Sequence, residues 1–532
     1  MPTDFVNFRS TAYFSSLICD YLDEKPDLHQ FYNRFPHLDN FKEQLEEKAQ
    51  STFVSTTQRR VLASVLKKQY AHIDASELTT AHIESLKSEK TFTVTTGHQL
   101  NLFTGPLYFL YKIVSTINLA KELKAAYPDH DFVPVYWMAT EDHDFEEINY
   151  FNFKGKKIHW EKDSQGAVGE LSTEGLEAVF KLFSLELGQT KQAEFLKTLF
   201  KKAYLEHDNL ADATRYLANE LFKDYGLVII DAADAELKTM FIPFIENELL
   251  NETSFKAVSK TNEQLSKNYG IQVNPREINI FYLKENLRER IVCENGIYSV
   301  VDTNITWTKT AILEEVNKHP ERFSPNVIMR PLYQEVILPN LCYIGGGGEL
   351  AYWLQLKDFF NTVQVPFPIL LLRNSVLIKT EKQSDKLEAM GITNQDLFLK
   401  RDALINKKVR EISNIDIDFT PQKKHLQEQF EALYKLAEQT DKSFLGAVKA
   451  QEVKQLKGLG HLEKRLLKAQ KNKLAEQVSR MTDLQNDLFP NQGLQERNTN
   501  VSEFYLEYGE ALIPHLIKNL HPLKSEFVII TL

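Results

Sequence analysis

Residues 139–149 read ATEDHDFEEIN and place five carboxylates and one histidine directly after the apolar run FVPVYWM. Such a cluster can bind a divalent ion, hold a substrate ammonium group, or provide a general base tuned by like-charged neighbours. Acids are also favoured in the first turn of a helix. That explanation suffices for Glu146 and Glu147, which are read as a solvated helix start. It does not account for a histidine set between two aspartates. Asp142, His143 and Asp144 are therefore the predicted chemical groups, with Glu141 beside them.

Two further loops carry groups of the same kind. In TTGHQLNLFTGP (95–106), Thr96, His98 and Gln99 offer hydroxyl, imidazole and amide, Gly97 permits a turn, and Thr104 is the expected helix cap ahead of Gly105 and Pro106. In IGGGGELAYW, four consecutive glycines precede a helix. They cost backbone entropy and add no packing, so the N–H groups of Gly346, Gly347 and Gly348 are expected to approach an anion. The preceding stretch SPNVIMRPLYQE carries Asn326, Arg330 and Gln334, which suit a carboxylate or phosphate. Arg288 and Arg290 alternate on one strand and are read as a surface pair.

Elements at regular spacing must hold these loops. TFTVTTG (91–97) reads as a strand, residues 105–128 as a long amphipathic helix and DFVPVYWMAT as a strand apolar on both faces. Strand, helix and strand in that order make a βαβ unit with a parallel sheet. YGLVIID and its helix repeat the pattern, residues 277–301 read as an antiparallel hairpin, LCYI leads through the glycines into a helix, and FPILLLRNSVLIKT supplies late strands. Residues 1–90 read as helical, with Phe14, Tyr21 and Phe31 as anchors. In an open parallel sheet, ligands bind beyond the carboxyl ends of the strands. All three loops lie there.

Beyond Thr380 the pattern changes. Leu426, Phe430, Leu433, Ala437, Thr440, Phe444 and Ala447 recur at alternating spacings of four and three, the seam of a coiled coil. A second helix is expected over 452–487, with Leu459, Leu462, Leu466, Leu474, Val478 and Met481 on its seam, the two forming a helical hairpin that turns within SFLGAVKAQEV or one bent helix. The expected organisation is an α/β core over 1–380, a helical domain over 381–487, and a tail over 488–532 that returns to the core, EFVIITL adding a strand.

Composition narrows the function. With 532 residues, 43% hydrophobic and 26% charged, the chain is globular. A net charge of -10 argues against a general nucleic-acid binder, which would carry a basic stripe. Three unpaired cysteines exclude a disulfide framework and a zinc motif and fit a reducing cytoplasm. The first residues lack the basic start and apolar core of a signal peptide, and no run of about 18 apolar residues predicts a membrane span.

Taken in order, TTGHQLNLFTGPLYFLYK, WMATEDHDFEEIN, SPNVIMRPLYQE, GGGGELAYW and GLQERNTN resemble the cysteine-adding enzyme family of bacillithiol biosynthesis. The resemblance spans about residues 90–510. It implies a Rossmann-like core with inserted segments, a helical coiled coil through which subunits dimerise, and amide ligation of cysteine to glucosaminyl-malate. The motif positions are Gly97, Gln99, Thr104, Gly105, Pro106, Glu141, Asp142, His143, Asp144, Asn326, Arg330, Gln334, Gly348, Glu349, Tyr352, Gln495, Glu496 and Arg497. Two positions depart from the pattern: His98 stands where glutamine is expected, and Gly347 where proline is expected. Activation of a carboxylate implies ATP or another nucleotide, with a divalent metal left open; the amine must then lose a proton to attack, with His143 or Asp144 the candidate base. A glycosyltransferase-like group transferase, or a non-catalytic scaffold carrying a nucleotide-binding domain, would use similar elements. Release of AMP or ADP with consumption of cysteine separates the ligase from the transferase. Deletion of 381–487 separates an enzyme from a scaffold.

Overall fold

The computed structural model describes residues 3–532. Five strands form the central sheet: β1 (Thr91–His98), β2 (Asp131–Met138), β3 (Val228–Asp231), β4 (Asn340–Gly345) and β5 (Ile369–Leu372). Their spatial order is β5-β4-β1-β2-β3, and every pairing is parallel. Strands buried on both faces need apolar residues at nearly every position. β2 and β4 satisfy this with VPVYWM and LCYIG, all buried. Helix α1 (Tyr108–Ala126) crosses from β1 to β2 and buries Leu119, Ala120 and Leu123 against Phe92, Val94, Phe132, Leu341 and Ile344. A strand order that reverses beside β1 leaves a crevice at the carboxyl ends of β1 and β4. This is a Rossmann-like α/β core.

The N-terminal helices reach both edge strands of the sheet, Tyr21 at β5 and Tyr70 at β3. Tyr21, fully buried, donates from its hydroxyl to the Leu370 carbonyl at 2.6 Å, which explains the aromatic anchor. The N-terminus also contributes a strand not foreseen in the sequence, Thr3–Val6, which pairs antiparallel with Phe527–Thr531. The expected hairpin is part of a larger antiparallel sheet of Ile280–Lys284, Leu287–Glu294, Ile297–Val300, Thr306–Thr308 and Phe323–Pro325.

The chain divides into two compact units, one ending at Leu377 and resuming over Gln495–Ile530, the other Ile378–Leu494 with Thr531–Leu532. The second unit is helical: α3 (Glu381–Ala389), α4 (Arg401–Ile412), α5 (Thr420–Ala437), α6 (Lys442–Lys473) and α7 (Ala475–Leu488). The break falls at residues 438–441, where the Asp441 side chain caps α6, and SFLGAVKAQEV lies inside α6 instead of forming the turn. The seam expected to run unbroken from Leu426 to Ala447 is therefore interrupted. Phe430 and Ala437 pack across the hairpin onto Val448, with Leu426 and Tyr434 alongside. The helix expected over 452–487 is likewise two helices separated at Leu474. A second cluster joins Ile405, Val409 and Ile417 to Leu467, with Leu466, Leu474 and Val478 packed against it. Leu462, placed on the seam by spacing, is 53% exposed.

Candidate functional site

At the crevice between β1 and β4 lies a cavity of about 600 Å³. Gly97, His98 and Gln99 from β1 and its exit line it, as do Gly346, Gly348, Glu349 and Tyr352 beyond β4, with Asp142, Arg330 and Arg497. Gly97 is inside the strand and makes no turn. A Cβ there would lie 3.2 Å from the Tyr343 hydroxyl, so glycine lets that ring approach. Thr96 donates to the Ile344 carbonyl at 2.7 Å and ties the two strands together.

Four cations line the cavity: Lys112, Arg330, Arg373 and Arg497. Lys112, buried on α1, donates to the Gly97 carbonyl at 2.6 Å and lies 2.5 Å from the Glu349 carboxylate. Burial lowers its pKa against the pull of Glu349. Arg330, on helix α2 (Met329–Ile337), donates to Gln334 at 3.0 Å and lies over the Trp137 and Tyr343 rings, while its Nη2 is buried with no partner among the described residues. Arg373, at the end of β5, makes a two-bond ion pair with buried Glu496, at 2.8 and 3.1 Å. Arg497 projects over Tyr108 beside it. Glu349 is the counter-charge inside the cavity: it accepts from the Tyr343 hydroxyl at 2.7 Å and from the Gly346 N–H at 2.8 Å. Burial would raise its carboxyl, but Lys112 and that N–H hold it below the usual range.

The glycine run works differently from the expectation. The Gly346 N–H is taken by Glu349, and a Cβ on Gly347 would meet Ile18 and Phe14 at ordinary contact distance, away from the cavity. The position that requires glycine is Gly345, where a Cβ would fall 2.9 Å from Leu350 and 3.0 Å from Glu349. Gly345→Ala is expected to cost about 1–3 kcal/mol through overpacking, and Gly347→Ala less than about 0.5 kcal/mol, as for a surface change. Thermal denaturation of both variants checks this.

Asp142 and Glu147 also belong to the lining. Gln99 donates to Asp142 at 3.0 Å and to Glu147 at 3.1 Å, so Glu147 is more than a solvated helix start and lines the cavity. The sequence could not show this, because the contact depends on the β1 exit folding back over a distant turn. Burial works to raise the Asp142 carboxyl, yet His143 and Gln99 hold it down at about 2. His143 and Asp144 follow on the outer side, the imidazole 3.6 Å from Asp142 and 3.8 Å from Asp144. Asp142 draws His143 towards its charged form. Arg288, however, directs an N–H at His143 Nδ1 from 2.6 Å and needs that nitrogen as an acceptor. That contact works against the pull of Asp142 on the same ring. Arg288 is thus no surface pair with Arg290: it stacks 4.0 Å from the Phe281 ring, half-sheltered, while Arg290 is exposed. The ligand atoms of Asp142, His143 and Asp144 lie within 4.8 Å of one another and could surround a cation, but the Arg288 guanidinium opposes one.

Several predicted residues support the site from outside. Glu141 pairs with buried Lys238 at 2.7 Å. Asn326 accepts from the Ile328 N–H at 2.9 Å at the start of α2 and donates to Asn279 at 2.8 Å. Gln334 positions Arg330, and Gln495 is buried behind the cavity wall. Thr104 is not the cap of α1. With Phe103 it adopts positive φ in a tight turn, and the Leu107 N–H is met by the Thr499 carbonyl. Asn500 fixes that turn, donating to the carbonyls of Phe103 and Gly105. His98 is buried, with Nε2 unpartnered and its pKa held well below the usual value by burial, Lys112 and Arg373. Lys112, Arg373, Tyr108, Trp137 and Tyr343 were not foreseen as site residues.

Comparison with known proteins places the chain among relatives of one kind. The N-terminal Rossmann-like domain model of bacillithiol biosynthesis BshC matches residues 1–374, and the C-terminal coiled-coil domain model matches residues 376–532. Three similar proteins share the name "Putative cysteine ligase BshC". That of Flavobacterium johnsoniae is 61% identical, covering 100% of both chains. That of Christiangramia forsetii is 60% identical over 100% of this chain and 99% of the other. That of Flavobacterium psychrophilum is 59% identical, with the same coverage.

Proposed function

Because the chain belongs to the BshC family of bacillithiol biosynthesis, we propose that it is a cysteine ligase that joins the cysteine carboxyl to the glucosamine amine of glucosaminyl-malate in an amide bond. The observation that carries this reading is the mixture of charge in one cavity. Lys112, Arg330, Arg373 and Arg497 line it together with the acids Asp142, Glu147 and Glu349. A molecule that carries both carboxylates and an amine matches that mixture. Arg330, with an unanswered N–H, would take a malyl carboxylate. Asp142 would meet the ammonium group, with His143 and Asp144 next on the way to solvent. The amine attacks as its free base, and Asp142 takes the remaining N–H proton as the leaving group departs, when the N-protonated amide is acidic enough to protonate even this weak base.

Activation of the cysteine carboxyl by ATP or another nucleotide belongs to the same proposal. The four cations suit its phosphates as well as a dicarboxylate. Incubation of the purified protein with cysteine, glucosaminyl-malate and each nucleotide in turn, with and without a divalent metal, is expected to give a product lighter than the combined substrates by one water. No such mass with any nucleotide would overturn the reading.

We further propose a homodimer through the helical hairpin. Phe430 and Ala437 are spent within the hairpin, whereas Leu433 and Leu436 on the same helix are 40% and 53% exposed. Leu433→Lys would bury a charge in that contact and is expected to weaken association by about 2 kcal/mol or more. Sedimentation at micromolar concentration checks it: a monomeric wild type removes the dimer, and an unchanged variant removes this surface. Among the described residues no helix is long and apolar enough to cross a membrane.

A further inference from the structure

A second, smaller cavity of about 320 Å³ adjoins the main one and shares Gln99, Tyr108, Glu147 and Arg497 with it. Its other walls come from the turn that Asn500 fixes and from the strand Tyr150–Phe153. Among its lining residues Arg497 is the sole cation and Glu147 the sole anion. Neither makes an ion pair with any described residue. Asn101 lines the same cavity at 7% exposure; its Nδ2 donates to the Glu147 carbonyl at 3.4 Å, and its Oδ1 is buried with no hydrogen-bond partner. A buried amide oxygen left unanswered costs about 1–3 kcal/mol, so a donor from outside the chain is the natural complement.

One cation, one anion and one unmet acceptor, in a space near the lower end of small-molecule sites, define a short list of ligands. A dicarboxylate would leave Glu147 opposed, and a diamine would leave Arg497 opposed. We propose that this cavity is a subsite for a free α-amino acid. The carboxylate lies against Arg497, the ammonium group lies between Glu147 and Asn101 Oδ1, and a small side chain rests towards Phe151. The main cavity then holds the larger, carboxylate-rich substrate. The shared wall at Arg497 puts the amino-acid carboxyl where the two cavities meet, which an acyl acceptor in the main cavity can reach. The identity of the amino acid as cysteine rests on the ligase reading; the subsite itself does not.

The test is calorimetric titration of the full-length protein with L-cysteine, L-serine, L-alanine and L-malate, on wild type, Glu147→Gln and Asn152→Trp. Asn152 lines only the smaller cavity, so tryptophan there fills it. Glu147→Gln is a mild change at an exposed carboxylate and guards against failure of the larger substitution to fold. Both variants are expected to weaken amino-acid binding tenfold or more, and in Asn152→Trp, at a residue that lines the smaller cavity and not the main one, L-malate binding stays within twofold. Amino-acid affinity within twofold of wild type in both variants would overturn the subsite. So would parallel loss of amino acid and malate in Asn152→Trp, and so would the absence of saturable binding of any amino acid with malate present. Binding of serine or alanine without cysteine would uphold the subsite and sink the cysteine-ligase reading.

Discussion

Glu496→Gln is expected to lower the unfolding free energy of the α/β core by about 3–5 kcal/mol, the cost of leaving a buried charge without its partner. The Glu496 and Arg373 side chains are 1% and 3% exposed and share two hydrogen bonds, and Glu496 also accepts from the Val376 N–H at 3.0 Å. Glutamine keeps the shape but presents one donor where two acceptors are needed. The Arg373 guanidinium then stays in the interior beside Lys112, with only Glu349 nearby to balance both. Urea denaturation followed by tryptophan fluorescence measures the loss. A shift under about 1 kcal/mol would mean that water reaches Arg373 and that the pair is not a buried support of the cavity wall.

The second large effect is expected in turnover. Asp142→Asn should reduce the rate about a hundredfold or more, the scale for losing a general base. His143→Gln and Asp144→Asn should have graded, smaller effects, because they stand behind Asp142 and not at the cavity wall. Glu146→Gln, exposed on the short helix Phe145–Ile148 that follows them, should be within twofold. Binding of L-malate should change little in all four, since the cations are untouched. Equal and small losses at Asp142, His143 and Asp144 would reduce the cluster to a charged helix entry.

The parallel core was legible because short apolar runs such as VPVYWM, VIID and LCYIG, bounded by turn residues and set between helical patterns, fit strands buried on both faces. Asp142, Gln99, Arg330 and Glu349 were legible because polar groups at strand exits have few structural reasons to be there. The cations Lys112 and Arg373 were harder. Each is one charge inside an apolar run, FLYKIV and LLLRNSV, and periodicity treats such a residue as an interruption. The usable signal is that interruption itself, since a lone charge in a core element must have a partner or a ligand. The hairpin turn was misplaced because no proline or glycine marks residues 438–441, and a seam of regular spacing runs through a turn as readily as through a helix. The role of Glu147 depends on Gln99, 48 residues earlier, and no local pattern reports a contact of that range.

The site walls are drawn from both ends of the chain. Residues 495–500 supply Arg497 and Glu496, close the turn before α1 through Asn500, and do so only after the whole helical unit has been made. On a ribosome, the first 377 residues emerge with Arg373 lacking its counter-charge and the turn at Phe103–Gly105 unsupported. A chain cut short anywhere in the helical unit would therefore carry most of the pocket residues yet have an open, strained core. Such fragments should be cleared by proteolysis and should neither bind substrate nor compete for it. Residues translated after the helical unit act as a completion check, coupling the appearance of a working site to synthesis beyond that unit.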